Sequence, residues 1–551
     1  MIRSQQRDNY NREITEPRAT GRSVVGYVFT GRGKTSTEEA EAYIPFRGYV
    51  ARGELVGIED RDRNLMYIAR VLSKEVESPF GESTEIMDIA KEMRSDYYDL
   101  VMDLIKDPRS KRRFAKLELL YIVGLNKDGE LLKRENNEIA AMDIDEPPEP
   151  GMPVVKLSAK DYMAILNLRD ENDGVCIGKL VERPDVKVCI DKDFYKTHIV
   201  VLGLTGIGKS EAMTKIMEEY MRLGIPVIVM DPHGEYVDIG KSRVDERQVY
   251  KVNLVRPGVD FTIGFHKLRR EEVKLLAQLV DERNPPSVQG LEALADAYDK
   301  YMERCVNKHD GEELEKGTTW RREKREEPDC NMPFRALKNF FEETALDYRL
   351  QYNTQESIIR RIKLMERMHL WNPDPNFDLD VRQYIHGYNA VVIDYSGAGS
   401  VDVEAKILAS IFLYRLMISK RSDPSFKGFP LFLVVDEAAH FVPNNESFLT
   451  DTFRRLIGEM RKYNLGIALI TQSPHKVHPD IFETVDTKIL FKLHGRSLDE
   501  AEKLGNLSKE DLARLKSLGR GRAFVISTNV GNSTPILVEF DKPTVKHHYM
   551  F

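Results

Sequence analysis

Cysteine is scarce in this 551-residue chain: Cys176, Cys189, Cys305 and Cys330 form no C-x-x-C pair and have no histidine at zinc spacing. The pattern argues against a zinc site and reads as buried thiols in a reducing compartment. A basic balance is missing too, since 82 Lys and Arg against 89 Asp and Glu leave a net charge of −7. No global charge pulls on nucleic acid, and any such contact has to be local, as inside a pore. No run of about 18 apolar residues occurs, and the opening Met-Ile-Arg-Ser-Gln-Gln-Arg has no apolar signal core. The expectation is a cytoplasmic protein without a membrane segment. Glutamine is rare, at nine copies, while charged residues reach 31%, a balance that leans toward a thermophile.

The length suits about three domain-sized pieces. Residues 1–20 are polar with mixed charge and read as a flexible start. Short β-type runs follow at Val24 to Phe29, Tyr49-Val50, Glu54 to Ile58, Met66 to Val71, Leu117 to Val123 and Val154 to Leu157, separated by turn residues. Their spacing predicts a small β-barrel over residues 21–185, interrupted by a helical segment near Ile86 to Ile105 and an extended loop from Asp145 to Gly151. The runs Val175 to Leu180 and Val186 to Ile190 lead on from it.

Next comes an apolar run, Ile199 to Leu202, entering Gly203-Leu-Thr-Gly-Ile-Gly208-Lys209-Ser210, with a helical pattern leaving from Glu211 to Leu223. Glycines at this spacing turn backbone N–H groups around a β-phosphate, Lys209 reaches the β/γ oxygens, and the Ser210 hydroxyl can ligate Mg²⁺. The candidate nucleotide-binding set is Gly203, Thr205, Gly206, Ile207, Gly208, Lys209, Ser210 and Glu211. A similar string, Gly31-Arg-Gly33-Lys34-Thr35, has Val28 five residues before Gly33 and reads as a strand-to-strand turn.

Buried-type strands recur at Ile225 to Asp231, Ala390 to Tyr395, Leu431 to Asp436, Gly466 to Thr471, Lys488 to Leu493, Arg522 to Ser527 and Pro535 to Val538, with helices at Val403 to Ser419 and Phe448 to Tyr463. Alternation of this kind predicts a doubly wound, mostly parallel α/β sheet over residues 186–540. Between about 266 and 385 the period becomes helical, so a helical insertion is expected, including a solvated mixed-charge loop from Arg321 to Glu327. Residues 541–551 form a short tail.

The strand ending in Asp436-Glu437 sets two acids at the carboxyl edge of the sheet. Asp436 can hold Mg²⁺, and Glu437 can act as general base on water. Gln472, ending the next strand, is placed to contact the γ-phosphate; its plain alternative is a loop cap. The loop around Lys241 and Arg243, and Gly397 to Ser400, follow strand tips and could touch DNA phosphates or simply be solvated.

The phosphate loop, Asp231-Pro-His-Gly-Glu235, Asp436-Glu437-Ala438 with His440, Gly458-Glu-Met-Arg461-Lys-Tyr463 and Thr471-Gln472, in that order, resemble the HerA ATPases of the HerA and FtsK superfamily. The resemblance covers nearly the whole chain. It implies a RecA-like P-loop core behind a HAS-type barrel, ATP and Mg²⁺ as cofactors, and a homo-hexamer pumping double-stranded DNA with a NurA-type nuclease in end resection. By position it makes Lys209, Ser210, Asp436 and Glu437 the ATPase residues, Gln472 the sensor, and Arg461 the arginine reaching a neighbour's ATP, with Arg454 and Arg455 as rivals. Met460 and Asn464 depart from the glycines more usual there. A HerA-like ring carrying a defence effector and a DNA-segregation pump are the competing readings.

Overall fold

The computed structural model describes residues 22–29, 36–77, 111–134, 138–239, 243–244, 247–248, 250–306, 330–396, 403–445 and 448–544. The expected flexible start, the turn at Gly31 to Thr35, the helix near Ile86 to Ile105, the loop Arg321 to Glu327, Lys241, the loop Gly397 to Ser400 and most of the tail lie outside them. The chain forms two compact units: residues 1–192 with 505–541, and residues 193–504 with 542–551.

In the first unit, β1 (Val24–Phe29), β2 (Glu39–Tyr43), β3 (Leu55–Asp60), β4 (Leu65–Glu77), β5 (Arg112–Gly124), β6 (Ala141–Met142) and β7 (Pro153–Lys156) run in the order β2-β1-β7-β3-β4-β5-β6. Pairing of β2 with β5 closes six of them into a barrel, as the turn-punctuated runs predict. Alternation explains the closure. In β2 the small Ala40 and Ala42 point inward, opposite Leu117 and Ala115 of β5, while Glu39 and Tyr43 face out. Irregularities between Ile68 and Ala69 and between Val71 and Ser73 bend β4 around Val28, Ile58, Tyr67 and Val154 of the interior. Tyr49-Val50 is no strand; it lies in the irregular connection between β2 and β3, where two apolar residues without a longer alternating run are too few to pair. After the barrel come β8 (Gly174–Leu180) and β9 (Lys187–Asp191), an antiparallel pair.

The second unit is built on β10 (Ile199–Leu202), β11 (Val227–Asp231), β14 (Val252–Val255), β15 (Ala390–Asp394), β16 (Leu431–Val435), β17 (Leu465–Thr471) and β18 (Thr487–Leu490). Between β11 and β14 lies a small hairpin of β12 (Arg243–Val244) and β13 (Arg247–Gln248). The seven parallel strands stand in the order β14-β15-β11-β16-β17-β10-β18. The Val-, Ile- and Leu-rich runs of β10, β11 and β16, joined by Met230 and Phe432 and ending β11 in Asp231, match their complete burial, as expected of strands covered on both faces. Edge strand β14 carries no such run and shows mixed burial, which is why its sequence gives no strand signal.

Helix α1 (Lys209–Arg222) follows β10. The expected helical insertion is present as α2 (Arg270–Leu279), α3 (Val288–Tyr301), α4 (Pro333–Asp347) and α5 (Tyr352–Glu366). Two further helices, α6 (Val403–Ser422) and α7 (Phe448–Met460), alternate with β15, β16 and β17. Buried Arg415 of α6 holds the insertion: its guanidinium donates to Glu272 of α2 (2.7 and 3.1 Å), to Asp378 (2.6 Å) and to the carbonyls of Leu379 and Lys267 (3.0 and 2.9 Å).

The last strands, β19 (Arg522–Ile526) and β20 (Ile536–Phe540), are antiparallel, and β20 pairs with β8, Val538 opposite Leu180. Periodicity assigns them to the core range 186–540, whereas residues 505–541 pack in the first unit; a strand's own pattern does not name its neighbour.

The cysteines correct the expectation of free thiols. Cys176 and Cys189 stand directly opposite on β8 and β9 and form a disulfide, Cα atoms 3.9 Å apart. Cys305 and Cys330 form another, 25 residues apart in sequence. Cross-strand register, which spacing does not reveal, brings the first pair within bonding reach.

Candidate active site

The phosphate loop owes its shape to three glycines. A Cβ at Gly203 would stand 2.6 Å from Phe491 Cβ, so only glycine fits where β10 turns. Gly206 and Gly208 have φ of +74° and +103°, left-handed values that other residues rarely adopt. Gly208 is also the residue from which α1 starts, so the free N–H groups of a 14-residue helix open into the loop. Leu204 N–H donates to Lys492 O (3.1 Å), fixing the loop to the end of β18. Behind the loop, His198 sits at φ +53° and its Nδ1 accepts the Ile467 N–H (3.2 Å). Burial pulls its imidazole down to about 4, so the ring is a neutral support beneath β10 and β17.

Lys209 is 7% exposed, and its ammonium donates to Leu204 O (2.8 Å) within its own loop. Burial lowers its pKa, while the charges of Asp436, Glu235 and Glu437 act in the opposite sense. Facing it, Asp436 extends β16, its N–H reaching Met230 O (3.2 Å). Burial, followed by repulsion from Glu235 and Asp231, pushes its carboxyl up to about 8; Lys209 only partly relieves this. Asp231 is spent on shape. Its buried carboxylate accepts the N–H groups of His233, Glu235 and Tyr236 (3.2, 3.1 and 2.8 Å), holding the turn after β11, and burial lifts it to about 6. Three acids, Asp436, Glu235 and Glu437, thus act on the one lysine, and a cation would relieve the repulsion that Asp436 feels from Glu235 and Asp231.

Glu437 occupies a left-handed backbone position, φ +48°, with its N–H on Asp436 Oδ1 (2.9 Å). That conformation is uncommon for a glutamate and persists where its surroundings hold it. Gln472, beyond β17, accepts the Thr205 hydroxyl through Oε1 (2.5 Å), so the predicted sensor touches the phosphate loop. The structure therefore brings together the loop, Lys209, Asp436, Glu437 and Gln472.

Arg461 sits in the turn Arg461–Tyr463 after α7; it is exposed, makes no ion pair among the described residues, and its charge acts on His198. Arg455 is exposed as well, whereas Arg454 is held by Asp451 (2.6 Å) and Asp480 (2.8 Å). Asn464 takes the left-handed conformation a glycine would take, φ +52°, and its side-chain amide donates to Gly428 O (3.1 Å). Asparagine tolerates αL, so the departure from glycine leaves the turn intact. Arg243 lies on the β12–β13 hairpin.

Two groups at this sheet edge received no site role from the sequence, although Thr471 stands in the Thr471-Gln472 pair of the family resemblance and Tyr395 ends a strand run. Thr471 carries a hydroxyl that contacts Glu437. Tyr395, after β15, donates its N–H to Asp231 O (3.1 Å), while its buried hydroxyl has no hydrogen-bond partner among the described residues. Burial, reinforced by Asp436 and Asp231, raises that phenol far above its usual range. The sequence assigns neither a role; the meeting of strand ends places them at the site.

Residues 175–416 match the family model described as "Helicase HerA, central domain". The DNA double-strand break repair helicase HerA of Pyrococcus furiosus is 26% identical over 392 residues, 64% of this chain and 67% of that one. That of Sulfolobus acidocaldarius is 24% identical over 452 residues, 80% of this chain and 83% of that one. Among solved structures, VirB4 of Thermoanaerobacter pseudethanolicus aligns with a TM-score of 0.48 at 18% identity, covering 68% of this chain and 97% of that one.

Proposed function

We propose that this relative of the HerA helicases, which carries their central domain across residues 175–416, is an ATP-driven double-stranded DNA translocase. It works as a homo-hexamer on broken DNA ends beside a NurA-type nuclease. The observation that carries the ATPase reading is the buried Lys209 ammonium, resting on a loop carbonyl and facing Asp436 and Glu437 across a left-handed glycine cradle.

A polyphosphate with a divalent cation fits this donor set. The backbone N–H groups at Gly206, Gly208 and the start of α1 are positioned for phosphate oxygens. Lys209 has a replaceable partner in Leu204 O, and exchanging it for phosphate gives the buried ammonium a full counter-charge. Among the described residues no three His, Cys, Asp or Glu side chains cluster as a metal cage. That suits Mg²⁺, which takes one or two protein ligands plus phosphate oxygens; Ser210 and Asp436 would hold it. The cation supplies charge neutralisation on the leaving phosphates, and beside it Asp436 would hold its charge.

Glu437 would take the proton of the attacking water, and Gln472, freed from Thr205, would touch the γ-phosphoryl group. Arg461, exposed and without an ion pair among the described residues, suits a role on the neighbouring subunit's ATP, which would tie hydrolysis to ring assembly. Among the described residues no helix is long and apolar enough to cross a membrane.

The test is ATP hydrolysis by the full chain with and without duplex DNA across a salt series, with Lys209→Ala and Glu437→Gln alongside. Stimulation that fades with salt is expected because the contacts are to phosphates. Lys209→Ala should lose nucleotide binding, and Glu437→Gln should keep ATP bound and unhydrolysed. Salt-insensitive, sequence-specific DNA binding would remove the translocase reading. Parental turnover by Glu437→Gln would remove the base.

A further inference from the structure

We infer that Thr471 is the positioning residue for Glu437, and that through it the end of β17 links the phosphate loop to the general base. The inference rests on the ATPase reading above and names a residue that reading does not use. β17 stands between β16, which leads to Asp436-Glu437, and β10, which leads to the phosphate loop. Register places Leu202 beside Thr471 on one side and Val435 beside Leu469 on the other. β17 runs two residues past that pair to Thr471, whose hydroxyl meets the Glu437 carboxylate. This strand end is therefore one short path between loop and base, beside the one through Asp436.

The hydrogen bonds follow that path. Thr471 is 1% exposed, and its hydroxyl accepts the Ser473 backbone N–H (3.1 Å). That bond occupies one lone pair and orients the hydroxyl, whose single proton goes to Glu437 Oε1 (3.4 Å). Among the described residues it is the one side-chain hydrogen bond on the Glu437 carboxylate. The next residue, Gln472, reaches Thr205 of the phosphate loop (2.5 Å). Consecutive side chains of one strand end therefore hold the loop and the base. The left-handed backbone of Glu437 adds the need, because a residue at φ +48° keeps one carboxylate direction only where its surroundings impose it. A contact of 3.4 Å is long and tightens when the site closes on substrate.

The role predicts a split that packing alone would not produce. Thr471→Val keeps the shape of a buried β-branched strand residue and deletes the hydroxyl; Thr471→Ser keeps the hydroxyl and deletes a methyl. The experiment measures kcat and KM for ATP in the full-length protein with saturating duplex DNA, for both variants, in parental and Glu437→Gln backgrounds. Hydrogen bonds to charged groups at reacting centres are worth about tenfold or more in rate. Thr471→Val should lower kcat by about that factor with KM unchanged, Thr471→Ser should stay near the parental rate, and Thr471→Val should add nothing to Glu437→Gln. Equal or greater damage from Thr471→Ser would show packing and overturn the role, as would a parental kcat in Thr471→Val or a further loss in the Glu437→Gln background. Full turnover by Glu437→Gln would overturn the base and this role with it. A dead Glu437→Gln beside a fully active Thr471→Val would overturn the role of Thr471 alone.

Discussion

Truncating Arg461 should separate catalysis from folding. Its side chain is exposed and makes no ion pair among the described residues, so Arg461→Ala should change stability by no more than about 0.5 kcal/mol. Arg454 differs: Arg454→Ala removes two partly exposed ion pairs, to Asp451 and Asp480, each worth up to about 1 kcal/mol. An arginine acting on a neighbour's γ-phosphoryl group contributes about 10³-fold in rate, and Arg461→Ala should lose that much while still binding ATP and assembling. Mixing supplies the assay. An Arg461→Ala subunit retains Lys209 and Glu437, and a Glu437→Gln subunit retains its arginine. In a randomly mixed ring about half the sites have Glu437, and about half of those face an intact arginine, so about a quarter of parental activity should return from two inactive proteins. The measurement is ATP turnover after mixing, with subunit exchange followed by native mass spectrometry. A mixture that stays inactive despite exchange, or an active Arg461→Ala, would refute the assignment and move the test to Arg455, the other exposed candidate.

Arg415→Met should loosen the helical insertion by about 3 kcal/mol or more, because Glu272, fully buried, would lose its counter-charge; hydrogen exchange in α2 and α6 should accelerate by about two orders of magnitude, and unchanged protection would refute it. Lys420 is fully buried, its ammonium on the Phe426 and Phe429 carbonyls, and burial lowers its pKa from 10.5 to about 8. The unfolded chain then binds the extra proton between those values, so stability should rise as pH increases from about 8 to 10.5; thermal melts of Lys420→Met should lack that rise. Peptide mapping without reductant should recover Cys176 linked to Cys189 and Cys305 linked to Cys330; free thiols throughout would contradict the pairing.

The phosphate loop was legible in the sequence because its requirements are local: glycines with positive φ and a helix start, all within a few residues of an apolar strand. The buried strands were legible for a similar reason, since a strand covered on both faces has to be apolar at every position. Edge strand β14 escaped because its four residues, Val-Asn-Leu-Val with mixed burial, are too few and too irregular to set a period. Tertiary structure alone decided the rest. Asp480, 26 residues beyond Arg454, ties that side chain to a later segment; the Thr205–Gln472 bond spans 267 residues; Thr471 reaches Glu437 only because β17 lies beside β16. The Cys176–Cys189 pair and the place of β19 and β20 rest on strand register in the same way. Spacing along a chain reports what each segment requires of its own backbone, whereas the partner of a side chain is set by sheet order, and sheet order arises from the packing of the whole unit.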